Sequence, residues 1–139
     1  MDIKEWIDHI SRPREELGGM SVCPYAKGAT YEIIETDGSD IDPLPWDFEL
    51  IVYKLPDSYT ISDVDNIAIE YNKLFPLLVF LPDPRDVVTE INNVKTNNGK
   101  YNLILCQWRD SLEVSRSKLK KSNYYSYWSS EYLNRILNV

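Results

Sequence analysis

Two uninterrupted apolar runs, Leu77-Leu78-Val79-Phe80-Leu81 and Leu103-Ile104-Leu105-Cys106, constrain the fold of this chain more than any other feature. Runs of four or five apolar residues are shorter than an ordinary helix. They also lack the polar alternation of a strand with one wet face. A strand covered on both faces reads this way, so the chain must supply layers on each side of a sheet.

The rest of the pattern supplies those layers. Ile3, Trp6, Ile7 and Ile10 recur on one helical face, and Asp2 with Glu5 forms an N-terminal capping box. Ala29–Thr36 is rich in β-branched and aromatic residues and reads as a strand. Phe48–Leu55 alternates and reads as a second. Ser62–Leu74 predicts a helix with Val64, Ile67, Ala68, Tyr71 and Leu74 inward, boxed by Ser62 and Asp65. Asp83-Pro84 resembles an N-cap with Pro at the first helical position, ahead of a stripe of Val87, Val88, Ile91 and Val94. β-branching weakens that helix, and a hairpin through Asn97-Asn98-Gly99 is the rival reading. Leu112–Lys121 and Ser130–Leu137 read as helices.

The order is therefore α-β-β-α-β-α-β-α in a single domain spanning residues 1–139. The expected fold is an α/β or α+β sandwich around a mixed four-stranded sheet. Helical crossovers would make strands two, three and four parallel. The non-helical turn after strand one would make strands one and two antiparallel.

Charge excludes some functions. The net charge is −7, and Glu35–Glu70 holds ten acidic residues against one base, Lys54. Repulsion from that surface opposes non-specific binding to nucleic acid or to an anionic membrane. No apolar run reaches the length of a membrane span. The charged start, Met1-Asp2-Ile3-Lys4-Glu5, lacks an apolar signal core, which points to a reducing, cytoplasmic setting with unpaired thiols. Two cysteines and His9 do not make a zinc pattern, and no metal or cofactor is expected. Asp37–Asp42 lacks the spacing of a calcium loop and reads as a polar turn.

In a parallel sheet, ligands favour the edge beyond the strands' carboxyl ends. On the expected topology that edge gathers Asp83, Arg85 and Asp86 after strand three. It also gathers Arg109 and Asp110 after strand four, and Cys23 and Lys27 before strand one. A helix start near Pro84 would add N–H donors, so the expected ligand is small and anionic. The competing reading is that these residues only cap helices and pair at the surface.

Cys23 is the candidate nucleophile for a thiol enzyme. Lys27, Arg12 or Arg14 would supply positive charge, and His9 is the only imidazole available as a base. Cys23-Pro24-Tyr25 superficially resembles a glutaredoxin turn, but a helix precedes it, a strand follows and Ala26 holds the second cysteine's place. Val22-Cys23-Pro24-Tyr25-Ala26-Lys27 is similar to the Leu-Cys-Pro-Phe-Ala-Lys motif of a family of short bacterial proteins. That family has an N-terminal helix followed by alternating strands and helices. The resemblance implies that Cys23-Pro24 is a family feature, and it implies no chemistry. It lapses after the last strand, where Gln107-Trp108-Arg109 replaces the family's Phe-His-Pro.

Near the C-terminus, Lys118, Lys120 and Lys121 precede Tyr124, Tyr125, Tyr127 and Trp128. Without a nucleic-acid motif, these aromatics read as packing or as a homo-oligomer contact. Three functional readings follow. The first is a binding or accessory protein with a polar-ligand cleft at the strand-end edge. The others are a thiol enzyme at that edge and an interaction protein using the aromatic C-terminus.

Overall fold

The N-terminal helix forms where the sequence pattern puts it. In a computed structural model of the chain, which describes residues 2–15, 21–23, 30–41, 49–87, 89–91 and 93–120, α1 spans Ile3–Ser11. The Asp2 side chain accepts from the Glu5 N–H at 2.8 Å, and Glu5 accepts from the Asp2 N–H at 3.3 Å. Ile3, Trp6, Ile7 and Ile10 are all buried. The helix Ile61–Leu74 (α2) begins earlier than its spacing suggests, because Thr60 and Asp63, not Ser62 and Asp65, form the capping box. Val64, Ala68 and Tyr71 are buried, whereas Leu74 is 65% exposed.

Four strands form the main sheet: β1 Tyr31–Glu35, β2 Leu50–Leu55, β3 Leu78–Asp83 and β6 Asn102–Trp108. Between β3 and β6 lies a short hairpin, β4 Glu90–Ile91 and β5 Val94–Lys95. The helix Arg109–Lys120 (α3) follows β6. The fold is thus α+β, with a mixed sheet in the order β1-β2-β6-β3.

The strand directions differ from the expectation at two places. β1 and β2 are parallel. Residues 36–49 are enough chain to travel back along a five-residue strand, so a connection of this length does not force a hairpin. β6 is antiparallel to both neighbours, β2 and β3. The helix expected over Asp83–Val94 is absent, and the β-branched stretch instead pairs as β4 and β5. Without a helical crossover, the chain simply turns and runs back beside β3. Asn93, with φ 69°, lies between the two strands of this hairpin, so the turn precedes Asn97–Gly99. The expected helix over Ser130–Leu137 lies outside the described residues.

Both apolar runs are covered on two faces, except that Leu77, just before β3, is 69% exposed. On one side, α1 packs with Leu50, Val52, Leu103 and Leu105. On the other, α2 packs with Ile51, Tyr53, Phe80, Ile104 and Cys106. Phe80, at 0% exposure, stacks in a tilted cluster with Tyr71 and Phe75. Burying such a side chain contributes about 2–3 kcal/mol. No described helix is long and apolar enough to cross a membrane.

β3 is an edge strand, yet at Phe80 its open side is satisfied. The Asn72 amide of α2 accepts from the Phe80 N–H at 2.8 Å and donates to the Phe80 carbonyl at 2.9 Å. One side chain thereby imitates a neighbouring strand and closes the edge to others. We expect Asn72→Ala to lower the unfolding free energy by about 1–3 kcal/mol. Urea denaturation measures that loss, and light scattering is expected to show self-association of the reopened edge.

Candidate functional site

The topology sorts the candidate residues onto two ends of the sheet. β1, β2 and β3 all finish at one end, where β6 begins. Asp83, Arg85 and Asp86 are there. Arg109 and Asp110 follow β6 and so stand at the other end, separated by the seven-residue length of β6, about 20 Å. The start of β1 is also at that far end, since β1 is parallel to β2. The two arginine turns, expected on one edge, therefore do not converge. The reversal of β6 is the reason.

Arg109 serves the far end as a structural clamp. Its N–H donates to Leu77 O at 2.9 Å, its Nε to Pro76 O at 2.9 Å and its Nη2 to Leu78 O at 3.3 Å. These bonds tie the start of α3 to the turn between α2 and β3. Asp110 is exposed in the first turn of α3, where a carboxylate suits the helix dipole.

The end where β3 finishes carries the denser polar chemistry. Asp83 is 4% exposed, and its carboxylate accepts from Asn97 Nδ2, from the Asn98 N–H at 3.2 Å and from Asn98 Nδ2 at 2.9 Å. Asn98 then fixes the next residues, accepting from the Lys100 N–H at 2.9 Å and donating to Tyr101 O at 2.9 Å. Thr89, Thr96 and Asn97 interlock through their side chains behind it. Asp83 thus holds the loop leading into β6 and spends its lone pairs doing so.

Asn102, 1% exposed, joins three segments. Its Oδ1 accepts from the Arg85 N–H at 2.9 Å, and its Nδ2 donates to Pro56 O at 2.9 Å and Tyr59 O at 3.0 Å. This amide sets the backbone of Arg85 against the β2–α2 loop. The Arg85 guanidinium stays exposed, with Nη1 3.4 Å from Asp57 O and Nε 3.5 Å from Asp86.

On the α1 side of the same end lies a cluster that no sequence motif marks. Lys54 Nζ is 4.7 Å and Lys100 Nζ 5.2 Å from the centroid of the half-buried Tyr101 ring. Lys54 also meets Glu35 at 3.3 Å. One signal was present in the sequence, since Lys54 is the only base in its acidic stretch. Nothing in local spacing places residue 54 beside residue 101.

Cys23 is half-buried against the α1-side core, and its N–H donates to Ile10 O at 2.7 Å. Neighbouring His9 does not serve it as a base. His9 Nε2–H donates to Lys95 O at 2.8 Å, and His9 Nδ1 accepts from Arg14 Nη2 at 2.7 Å. Both ring nitrogens are committed, and Arg14 is turned onto His9. Lys27, the Asp42 end of the acidic turn and the aromatics Tyr124, Tyr125, Tyr127 and Trp128 lie outside the described residues. Within the described part of that turn, Asp37 accepts from the Ser39 hydroxyl at 2.6 Å and the Ser39 N–H at 2.8 Å. The Ser39 hydroxyl, then its N–H, hold the Asp37 carboxyl below its usual value. Among the described residues no group of His, Cys, Asp and Glu is arranged to hold a metal ion.

Comparison with protein-family models, with curated proteins and with solved structures finds no match to this chain.

Neither cysteine is in a disulfide, and Cys106 is inert by position. Burial pushes its thiol well above the ordinary value. The unfolded chain therefore releases this proton first. The Cys106 contribution to stability is whole below the unfolded thiol value, about 8.5, and is lost as pH rises beyond it. We expect the alkaline fall in unfolding free energy to be shallower in Cys106→Ala, by up to about 1.4 kcal/mol per pH unit. Denaturation at a series of pH values measures it. In Cys23→Ser at neutral pH, a thiol reagent is expected to label Cys106 only after unfolding.

Proposed function

We propose that this chain is a small cytoplasmic binding or accessory protein. Its ligand surface is the end of the sheet where β2 and β3 finish, and its ligand is a small polar anion. One observation carries the reading: Arg85 has an anchored main chain and an exposed head with donors to spare. The buried Asn102 amide holds its backbone, while among the described residues its guanidinium meets Asp57 O at 3.4 Å and Asp86 at 3.5 Å. A guanidinium has five donors in a fixed fork, suited to a carboxylate or phosphate. Mounting that fork on an ordered backbone reduces the entropy lost on binding. The same end holds a buried amide network that fixes its loops, which favours binding over bond-making chemistry. Asp83 is consumed by that network and offers no free base.

The reading is tested by thermal unfolding in inorganic phosphate against chloride of equal ionic strength. We expect the wild-type protein to gain stability in phosphate. Arg85→Ala should melt within about 2 °C of wild type without phosphate, as exposed substitutions do. It should lose at least half of the phosphate gain. Absence of any phosphate-specific gain in the wild type would remove the reading. Asn102→Ala, by contrast, is expected to cost about 3 kcal/mol of stability, because it strands several buried polar groups.

A further inference from the structure

We propose that Lys54, Lys100 and Tyr101 form a second contact point for the same class of ligand, specific for a phosphate-type oxyanion. The proposal rests on the reading of this sheet end as the ligand surface, and it names a subsite on the opposite face from Arg85.

The placement follows from strand parity. Asn102 and Ile104 face α2, where Asn102 meets the β2–α2 loop beside Arg85. Tyr101 and Leu103 face α1 and join that core. Lys54, opposite Leu103 in the β2–β6 register, shares the α1 side. The rim therefore presents Arg85 on one face and two lysines on the other.

Three observations argue for a ligand there. First, two ammonium groups stand near one aromatic ring, at 4.7 and 5.2 Å from its centroid. Like charges within a Debye length of each other repel, and an anion bound near both relieves that repulsion. Second, the local countercharge is weak. The Glu35 side chain is 80% exposed, so its pairing with Lys54 is screened by water. Third, the frame is built. Asn98 fixes the backbone of Lys100 and Tyr101, and the buried Asp83 fixes Asn98. The Lys54 side chain is 29% exposed, its stem lying along the core while its charge reaches water.

Lysines are compact point charges, without the planar fork that selects a carboxylate. Two of them beside one ring suit a small oxyanion of high charge. An extended acidic chain would need its partners spread along a surface. The acidic surroundings sharpen the choice, because Lys54 is the only base between Glu35 and Glu70. A long polyanion would meet repulsion on either side, and a single phosphate group would not.

The test is a titration of ¹⁵N-labelled protein, as the full chain, with inorganic phosphate at low ionic strength, followed by amide chemical shifts. A second arm uses glycerol phosphate, which separates a free ion from a phosphate carried on a small molecule. We expect shifts at Lys54, Lys100 and Tyr101 that saturate together. Lys100→Gln should weaken binding roughly threefold or more, and Lys54→Met with Lys100→Met at least tenfold. Lys100 is exposed, so its variant remains informative if Lys54→Met unfolds the chain; urea midpoints report that directly. Shifts confined to Arg85 and Asn102, or unchanged affinity in folded lysine variants, would overturn this proposal and leave the broader reading standing. Shifts at Lys54 and Tyr101 that persist in Arg85→Ala would support this subsite as one independent of Arg85. No saturable shift at either face would end both.

Discussion

The structure depends on β6 being hydrogen-bonded along both sides and covered on both faces. Its backbone groups pair with β2 and β3. Its side chains feed two cores, Leu103 and Leu105 toward α1 and Ile104 and Cys106 toward α2. A central strand in this position cannot be wet anywhere, which is why the sequence there admits almost nothing polar. The two helices on either side are then obligatory, and each brings an apolar stripe of the required spacing. Where polar residues do enter β6, they are placed at its ends: Asn102 joins three loops, and Gln107 closes the run.

Much of this was readable from local pattern. α1 was legible in full, cap and stripe together, because Asp2, Glu5 and the four apolar residues interact within a few positions of one another. β3 and β6 were legible because burial on two faces leaves an unbroken apolar signature. The direction of β6 was not legible. It hinged on residues 84–101, where Asp83-Pro84 imitates a helix start while Val87, Ile91 and Val94 prefer extended backbone. Local capping chemistry and β-branching disagreed, and pairing between Glu90–Ile91 and Val94–Lys95 decided it. Once the helix was lost, β6 reversed, and Arg109 moved to the end away from Arg85.

The candidate site shows the same division. Asp83, Arg85 and Asp86 could be grouped because they are adjacent in the chain. Asn102 and the Lys54–Tyr101–Lys100 cluster could not, because they depend on contacts across the sheet between segments some 46 or 47 residues apart. The polar residues near β3 divide by accessibility rather than by type. Asp83 and Asn102 are buried and hold loops in place, whereas Arg85 and Lys100 reach solvent from backbones those two residues fix. The interior groups give the exposed ones a defined position.

The place of β6 in the sheet also orders events in time. The strand that belongs between β2 and β3 is the last of the sheet to leave the ribosome, so until it emerges the β1–β2 pair and a lone β3 have a gap between them. α1, α2 and the Phe80 cluster can gather early, but the nascent sheet stays open until residue 108 has emerged. Long-range closure of this kind slows folding, and transiently bare strand edges favour contact with other chains. Vectorial assembly therefore ends, for this molecule, with its middle.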